Sequence, residues 1–463
     1  MPKRIVVIGA GLGGLTSGAL LAQAGHEVTI LELGDWVGGK SRRLQIAGQT
    51  IDTGPSLFTF PGVWQQFLER YRALGGTIEQ DLEFVKLPEV GRYYFRDDEI
   101  DIPIPQGHKW HEPWQRFVAE HKELAQPITT LLTSAPLDPK SLPALKSLLG
   151  TYRTRLSTNG YLRSLDWMPE GLKELIAIHT LNAGVSPDQT LPIYASMTAI
   201  MSEDGISVPK GGMNEVPQLM AKLAVAAGAE LILNTAVRKI SKGLVETSDR
   251  KFEADLVVSS LDASLTDSLV SGNPPKPAPN RSCSGVAIYA TLKQPLPKST
   301  ITHSVVMPNQ PASLYNALKT NTPPVETMSF VNYYAPGHIY QNKKATVAVL
   351  LTAPADGANY DLNTPWVRLE LNRVSKLIGL DTPIDEIFED YRILNAEYFS
   401  SFGALGGALY GAKNPLWQSG PFHNPSYRSF SRPWLYRVGA SVHPGGGIPA
   451  VIGGAMNSIS SLI

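Results

Sequence analysis

Residues 4–32 read Arg-Ile-Val-Val-Ile-Gly-Ala-Gly-Leu-Gly-Gly-Leu-Thr-Ser-Gly-Ala-Leu-Leu-Ala-Gln-Ala-Gly-His-Glu-Val-Thr-Ile-Leu-Glu. The apolar, β-branched run 4–8 predicts a buried strand. Gly9, Gly11 and Gly14 follow at once with the spacing G-x-G-x-x-G, and Gly13 lies inside the motif. A helical pattern runs from about Leu15 to Ala24 and ends at Gly25. Residues 28–31 form a second apolar strand, with Glu32 at its end. Gly9 permits the tight strand-to-helix turn, Gly11 lets a pyrophosphate approach the backbone, and Gly14 lets helix and strand pack closely. The helix N-terminus presents free N–H groups to phosphate, and Glu32 is placed to accept hydrogen bonds from a ribose. A chain with 41 glycines makes chance matches to such a motif. Here strand, helix and terminal acid stand in the required order, so the reading is a dinucleotide-binding, Rossmann-like α/β unit.

The chain has 463 residues, enough for two or three domains. Lys+Arg and Asp+Glu number 41 each, and the absence of a basic surplus argues against nucleic acid as a partner. Cys283 is the only cysteine, which excludes an intramolecular disulfide and suits a reducing cytoplasm. The nine histidines show no metal-ligand spacing. The first strand begins at Arg4, so no secretory signal is expected, and no apolar run is long enough to span a membrane.

Outward from the first unit, residues 38–43 read Gly-Gly-Lys-Ser-Arg-Arg, and residues 52–56 read Asp-Thr-Gly-Pro-Ser. Gly39, Lys40, Arg42 and Arg43 put three cations beside a glycine pair, a pattern suited to phosphate charge. Residues 64–75 read as a helix and 82–102 as short strands with a hairpin. From about Trp110 to Ala199 helical patterns alternate with proline breaks. Residues 214–227 form an amphipathic helix, and strands follow at 230–234, from 237, and at 252–260. Residues 285–294, 303–308, 327–334, 345–353 and 387–399 are β-rich, with a helix near 366–378, and 271–280 reads as a linker. The implied organisation is a cofactor domain in three parts (1–105, 201–272, 406–463), a helical cap and substrate region (106–200), and a β-rich substrate domain (273–405).

The tail carries a second glycine-rich helix start. A short strand at 435–440 leads through Pro444-Gly445-Gly446-Gly447-Ile448-Pro449 into a small-residue helix at about 450–462. Two such helix starts suit a cofactor with both a pyrophosphate and a ring. The second would stabilise the negative charge of a reduced flavin near its pyrimidine edge.

With these pieces in place, the chain resembles the bacterial-type phytoene desaturase family, the FAD-dependent carotenoid desaturases and isomerases of the amine oxidase-like flavoproteins. The matching blocks are 6–32, 38–56, 205–213, 254–262 and 435–454. The most specific is Val438-Gly439-Ala440-Ser441-Val442-His443-Pro444-Gly445-Gly446-Gly447-Ile448-Pro449, and 406–411 (Gly-Gly-Ala-Leu-Tyr-Gly) is a weaker match. Ser441 and Gly446 depart from the commonest residues of the family pattern. The resemblance implies non-covalent FAD, with its ADP part on Gly9, Gly11, Gly14 and Glu32. It implies Lys40 and Arg42 near the phosphates, and Gly54, Pro55 and Ser56 beside the flavin. Val237 would pack on the adenine, and Gly439, Ala440, Gly446, Gly447, Ile448 and Pro449 would approach the ribityl chain and ring.

The activity so implied is desaturation of an apolar carotenoid, with oxygen or a quinone as terminal acceptor. No acid–base pair stands out and no catalytic side chain is named; His443, inside a glycine turn, reads as structural. Alternatives sharing these motifs are a redox-neutral cis–trans isomerase, a flavin amine oxidase and a non-catalytic flavin or pigment carrier. Amine oxidases usually carry an acid where Ala440 stands. A substrate dissolved in lipid implies peripheral contact with a membrane surface. Within 142–156, leucines are interleaved with Lys146, Arg153 and Arg155.

Overall fold

The computed structural model describes residues 1–135, 138–275, 280–413, 415–418, 423 and 425–463. Its centre is a six-stranded sheet in the order Arg428–Ser429, Arg432–Arg437, Leu256–Ser259, Arg4–Ile8, Glu27–Leu31, Glu230–Ile232. All neighbours are parallel except the first pair. Ile5, Val6, Val7 and Ile8 are buried on both faces, as a central parallel strand requires. The first helix, Leu12–Gln23, packs against the helices Glu215–Ala226 and Ile448–Ser458. Chain segments more than 400 residues apart thus meet over one sheet.

A seven-stranded sheet runs Phe388–Leu394, Ser284–Leu292, Thr346–Ala353, Ser329–Tyr334, His303–Val306, Gly91–Phe95, Asp98–Ile102. One face, with Val286, Ile288, Val331, Val347 and Val349, is covered by Trp366, Val367, Leu371 and Val374 of the helix Pro365–Leu377. The other face turns toward the cofactor end, where Tyr289, Ala348 and Leu394 meet Leu44, Ile46 and Ile51. Among the described residues of 111–204, the regular elements are helices and 3-10 turns, from His111–His121 to Met197–Asp204. This insertion is pinned at its neck, where Phe84–Leu87 pairs antiparallel with Ile206–Pro209.

Several expectations are corrected. The hairpin 91–102 belongs to the seven-stranded sheet, because Ser304, Val305 and Val306 pair with Arg92, Tyr93 and Tyr94. The run 252–260 is two strands: Lys251–Ala254 closes a three-stranded antiparallel sheet, and Leu256–Ser259 joins the parallel one. The terminal helix starts at Ile448 and the first at Leu12, because glycine N-caps allow earlier starts than the apolar pattern shows. The tail strand is Arg432–Arg437, which leaves Gly439 and Ala440 in the turn beyond. The strand predicted to 399 ends at Leu394, and a short helix, Ala396–Ser400, takes over with Asn395 as its cap. A helix at Pro311–Thr320 was not foreseen. In the linker 271–280, residues 276–279 lie outside the described residues.

Candidate cofactor and substrate site

The first turn is shaped by backbone contact. A Cβ at Gly14 would overlap the Gly9 carbonyl oxygen, and one at Gly13 would stand 3.0 Å from the Gly439 nitrogen. A Cβ at Gly11 would meet only Ser260 Oγ, at 3.6 Å, so Gly11 faces open space. Ser260 Oγ accepts the Gly14 N–H at 3.1 Å, while the Gly13 N–H has no acceptor among the described residues. An N–H left free at a helix start, with open space beside Gly11, fits a phosphate.

Glu32 is pinned by two main-chain donors: Ala10 N–H to Oε2 at 2.7 Å and Gly34 N–H to Oε1 at 2.8 Å. Each oxygen keeps acceptor capacity for a ribose hydroxyl. The Thr235 N–H donates to the Glu32 carbonyl at 2.7 Å, which carries the chain past Glu32 to Val237, a half-buried residue opening the three-stranded sheet.

Gly38 is clipped to the first loop by its N–H to the Ala10 carbonyl at 2.8 Å, and a Cβ at Gly39 would lie 3.3 Å from Gly11 Cα. The three cations separate here. Arg43 pairs with Asp52 at 2.8 Å and Glu215 at 3.0 Å, so it braces the protein and is not free for phosphate. Its strand, Arg43–Ile46, pairs with Gln49–Asp52 and directs the side chain to Asp52. Arg42 lies 4.0 Å over the Trp36 ring and donates to Tyr398 Oη at 3.3 Å. Lys40 Nζ donates to the Leu409 carbonyl. Lys40 keeps accessible surface, and desolvation pushes its ammonium below the usual lysine range. Gly54, whose N–H donates to Tyr289 Oη at 3.1 Å, opens the Pro55-Ser56 segment beside it, where both residues remain partly accessible.

The tail closes the groove. Val438 N–H donates to the Ser259 carbonyl at 2.9 Å, which places Gly439 and Ala440 at the mouth of the first turn. Gly447, at φ +95°, caps the last helix; the Ile448 and Ala450 N–H groups have no acceptors among the described residues, and Pro449 has no N–H. A Cβ at Gly446 would overlap the Tyr410 ring. His443 packs edge-on against His423 and Tyr427, and burial lowers its imidazole to about 4, as a structural residue behind the turn would show. Sequence reasoning missed Ser260, Tyr289 and Tyr410. Ser260 ends an apolar strand, a weak clue at best; the tyrosines approach the groove only through tertiary pairing.

Residues 12–339 match the family described as flavin containing amine oxidoreductase. The chain belongs to that family. It is 27% identical to the zeta-carotene-forming phytoene desaturase of Myxococcus xanthus, over 97% of this chain and 92% of the relative. It is 26% identical to the hydroxyneurosporene desaturase of Rubrivivax gelatinosus, over 96% and 90%. Among solved structures, putrescine oxidase bound to putrescine superposes with a TM-score of 0.64 at 17% identity, covering 100% of this chain and 98% of that one, a likeness of fold. The family member described here is an FAD-dependent oxidoreductase, and its two free helix starts, pinned Glu32 and the Lys40 ammonium fit that cofactor.

Proposed function

We propose that the protein is a carotenoid desaturase, removing two hydrogens from adjacent carbons of an apolar polyene. The observation that carries this reading is the match to carotenoid desaturases along nearly the whole chain. Bound FAD would supply a two-electron acceptor, taking one substrate hydrogen as hydride while its neighbour leaves as a proton, with oxygen or a quinone as the terminal acceptor. Residues 9–14 and 446–449, with their free helix-start N–H groups, would hold and orient the cofactor. Expression in a host making phytoene or lycopene, followed by pigment chromatography, should yield products with additional conjugated double bonds; unchanged pigments would refute desaturation. Geometric isomers formed anaerobically with reduced flavin would instead show an isomerase.

The same reading brings the protein to the cytoplasmic membrane surface. On the helix Leu142–Tyr152, Ala144, Leu148 and Tyr152 face the core, while Leu142 (63%), Leu149 (65%) and nearby Leu156 (75%) are exposed. Exposed Lys140, Lys146, Arg153 and Arg155 accompany them, and 139–165 holds no acid. No helix among the described residues is long and apolar enough to cross a membrane. Leucines entering the interface with cations at anionic headgroups support docking by this face, at about 1 kcal/mol per cation. In liposome flotation, binding should rise with anionic lipid, fall with salt, and drop in the K146E/R153E/R155E variant without loss of FAD. Equal flotation of that variant would rule this face out.

A further inference from the structure

The segment from Asp52 to Gly54 is held from two sides. On one side it hangs from two tyrosine hydroxyls: Gly54 N–H donates to Tyr289 Oη at 3.1 Å, and Asp52 N–H to Tyr340 Oη at 3.2 Å. Tyr289 lies within the strand Ser284–Leu292, on the face packed against Leu44, Ile46 and Ile51. Tyr340 follows the strand Ser329–Tyr334 of the same sheet, and its ring stands 5.1 Å from that of Tyr334. On the other side the segment rests on residues 40–42. Thr53 N–H donates to the Arg42 carbonyl at 2.7 Å, Arg42 N–H to Thr53 Oγ1 at 3.0 Å, and Thr53 Oγ1 to the Lys40 carbonyl at 2.9 Å. Gly54, at φ +79°, comes so close that a Cβ there would stand 2.6 Å from the Lys40 carbonyl oxygen. Lys40 follows Gly39, where a Cβ would lie 3.3 Å from Gly11 Cα. A continuous line of contacts thus runs from Tyr289 through Gly54 and Lys40 to the open side of the G-x-G-x-x-G turn.

Packing alone requires neither hydroxyl. Both tyrosines are buried, and Tyr289 is clustered with Ala287, Ala348 and Leu394, where phenylalanine would fill the space with no polar atom to desolvate. Burial pushes the Tyr289 phenol well above its usual range, so the hydroxyl stays neutral and its oxygen accepts one N–H. That N–H belongs to the glycine lying on Lys40. Resting on FAD binding at the first turn and on no particular substrate, we infer that Tyr289 and Tyr340 are positioning residues for the cofactor. By holding Gly54 and Asp52, they set where Lys40 and Gly39 stand beside the first turn. The seven-stranded sheet thereby fixes the geometry of a site built on the parallel sheet.

The test is the dissociation constant of FAD from the full-length protein, read by flavin fluorescence. Y289F should weaken FAD binding about fivefold, as loss of one buried hydrogen bond would. Thermal unfolding of the flavin-free chain should stay within about 2 °C of the parent. Y340F should shift the affinity in the same direction, and it carries the test if Y289F does not fold. Y71F removes another buried hydroxyl, one that donates to the Leu223 carbonyl at 3.0 Å, and should leave FAD affinity unchanged. A double-mutant cycle decides the route: in a K40M background, Y289F should alter the affinity by less than about twofold. Normal affinity in Y289F and Y340F would overturn the inference. So would an equal loss in Y71F, or a fivefold loss that persists undiminished in K40M.

Discussion

Around the parallel sheet the contacts that shape the groove are made by main-chain atoms; around the seven-stranded sheet and the helical insertion they are made by side chains. At the cofactor end, Gly14 lies on the Gly9 carbonyl, Gly13 on the Gly439 nitrogen, and Glu32 on two backbone N–H groups. In the seven-stranded sheet and the helical insertion, Tyr93 Oη meets His179 Nε2 at 2.8 Å, Tyr161 Oη meets His121 Nε2 at 2.7 Å, and His303 sits opposite Asn332 in register. A ligand of constant shape can be bound by backbone geometry, which tolerates change elsewhere. Side-chain contacts on faces can instead be exchanged one at a time.

The sharpest way to break this comparison is at two glycines of one turn. Gly14→Ala forces a Cβ into a carbonyl oxygen and should destabilise the fold by about 3 kcal/mol or more. Gly11→Val projects into open space and should leave thermal unfolding of the flavin-free protein near that of the parent, while flavin retention is lost. If Gly11→Val unfolds as readily as Gly14→Ala, the open groove at Gly11 is wrong.

The cations give the next largest effect. Arg43→Met leaves the buried Asp52 carboxylate without its ion pair and should cost about 3 kcal/mol in denaturant unfolding. Lys40→Met should act chiefly on FAD affinity, because Lys40 follows Gly39, which packs against Gly11 of the first turn. A Lys40 variant with normal flavin binding would remove it from the cofactor site. Glu32→Ala should weaken FAD binding by about 1.5–3 kcal/mol in a flavin titration, through loss of charge-assisted hydrogen bonds to ribose. Unchanged affinity would detach Glu32 from the ribose.

In the seven-stranded sheet and the insertion the corresponding probe is pH. Burial lowers the imidazoles of His121 and His179 to about 4 and of His303 to about 3. Each stays neutral in the fold but takes up a proton on unfolding below its ordinary value of 6.5. Their contribution is therefore complete above 6.5 and is lost progressively as pH falls toward the folded values. For His121 the loss is about 2 kcal/mol at pH 5. Melting temperatures between pH 7.5 and 4.5 should fall along this curve, less steeply in His121→Gln. An unchanged slope in that variant would mean that His121 is already charged or accessible.

The sequence by itself determined the cofactor end. Strand, G-x-G-x-x-G turn, helix and Glu32 are contiguous, and Gly14 is demanded by the Gly9 carbonyl five residues earlier, so that part of the spacing is legible without knowing what packs around it. The second glycine turn was legible as a helix start, though its helix begins at Ile448 rather than near 450. Only the tertiary structure decided the remainder. Lys40, Arg42 and Arg43 look equivalent in sequence, but their partners, Leu409, Tyr398, and Asp52 with Glu215, stand from nine to 369 residues away. The hairpin 91–102 was identifiable as a hairpin, yet its sheet was set by pairing with 303–306, a partner that periodicity does not name. Tyr410 is an ordinary tyrosine in sequence, and its seat between Gly184 and Gly446 is made only by segments brought together in the fold. Local sterics act over a few bonds and are written in order along the chain; ion pairs, sheet partners and chamber walls are fixed by long-range packing.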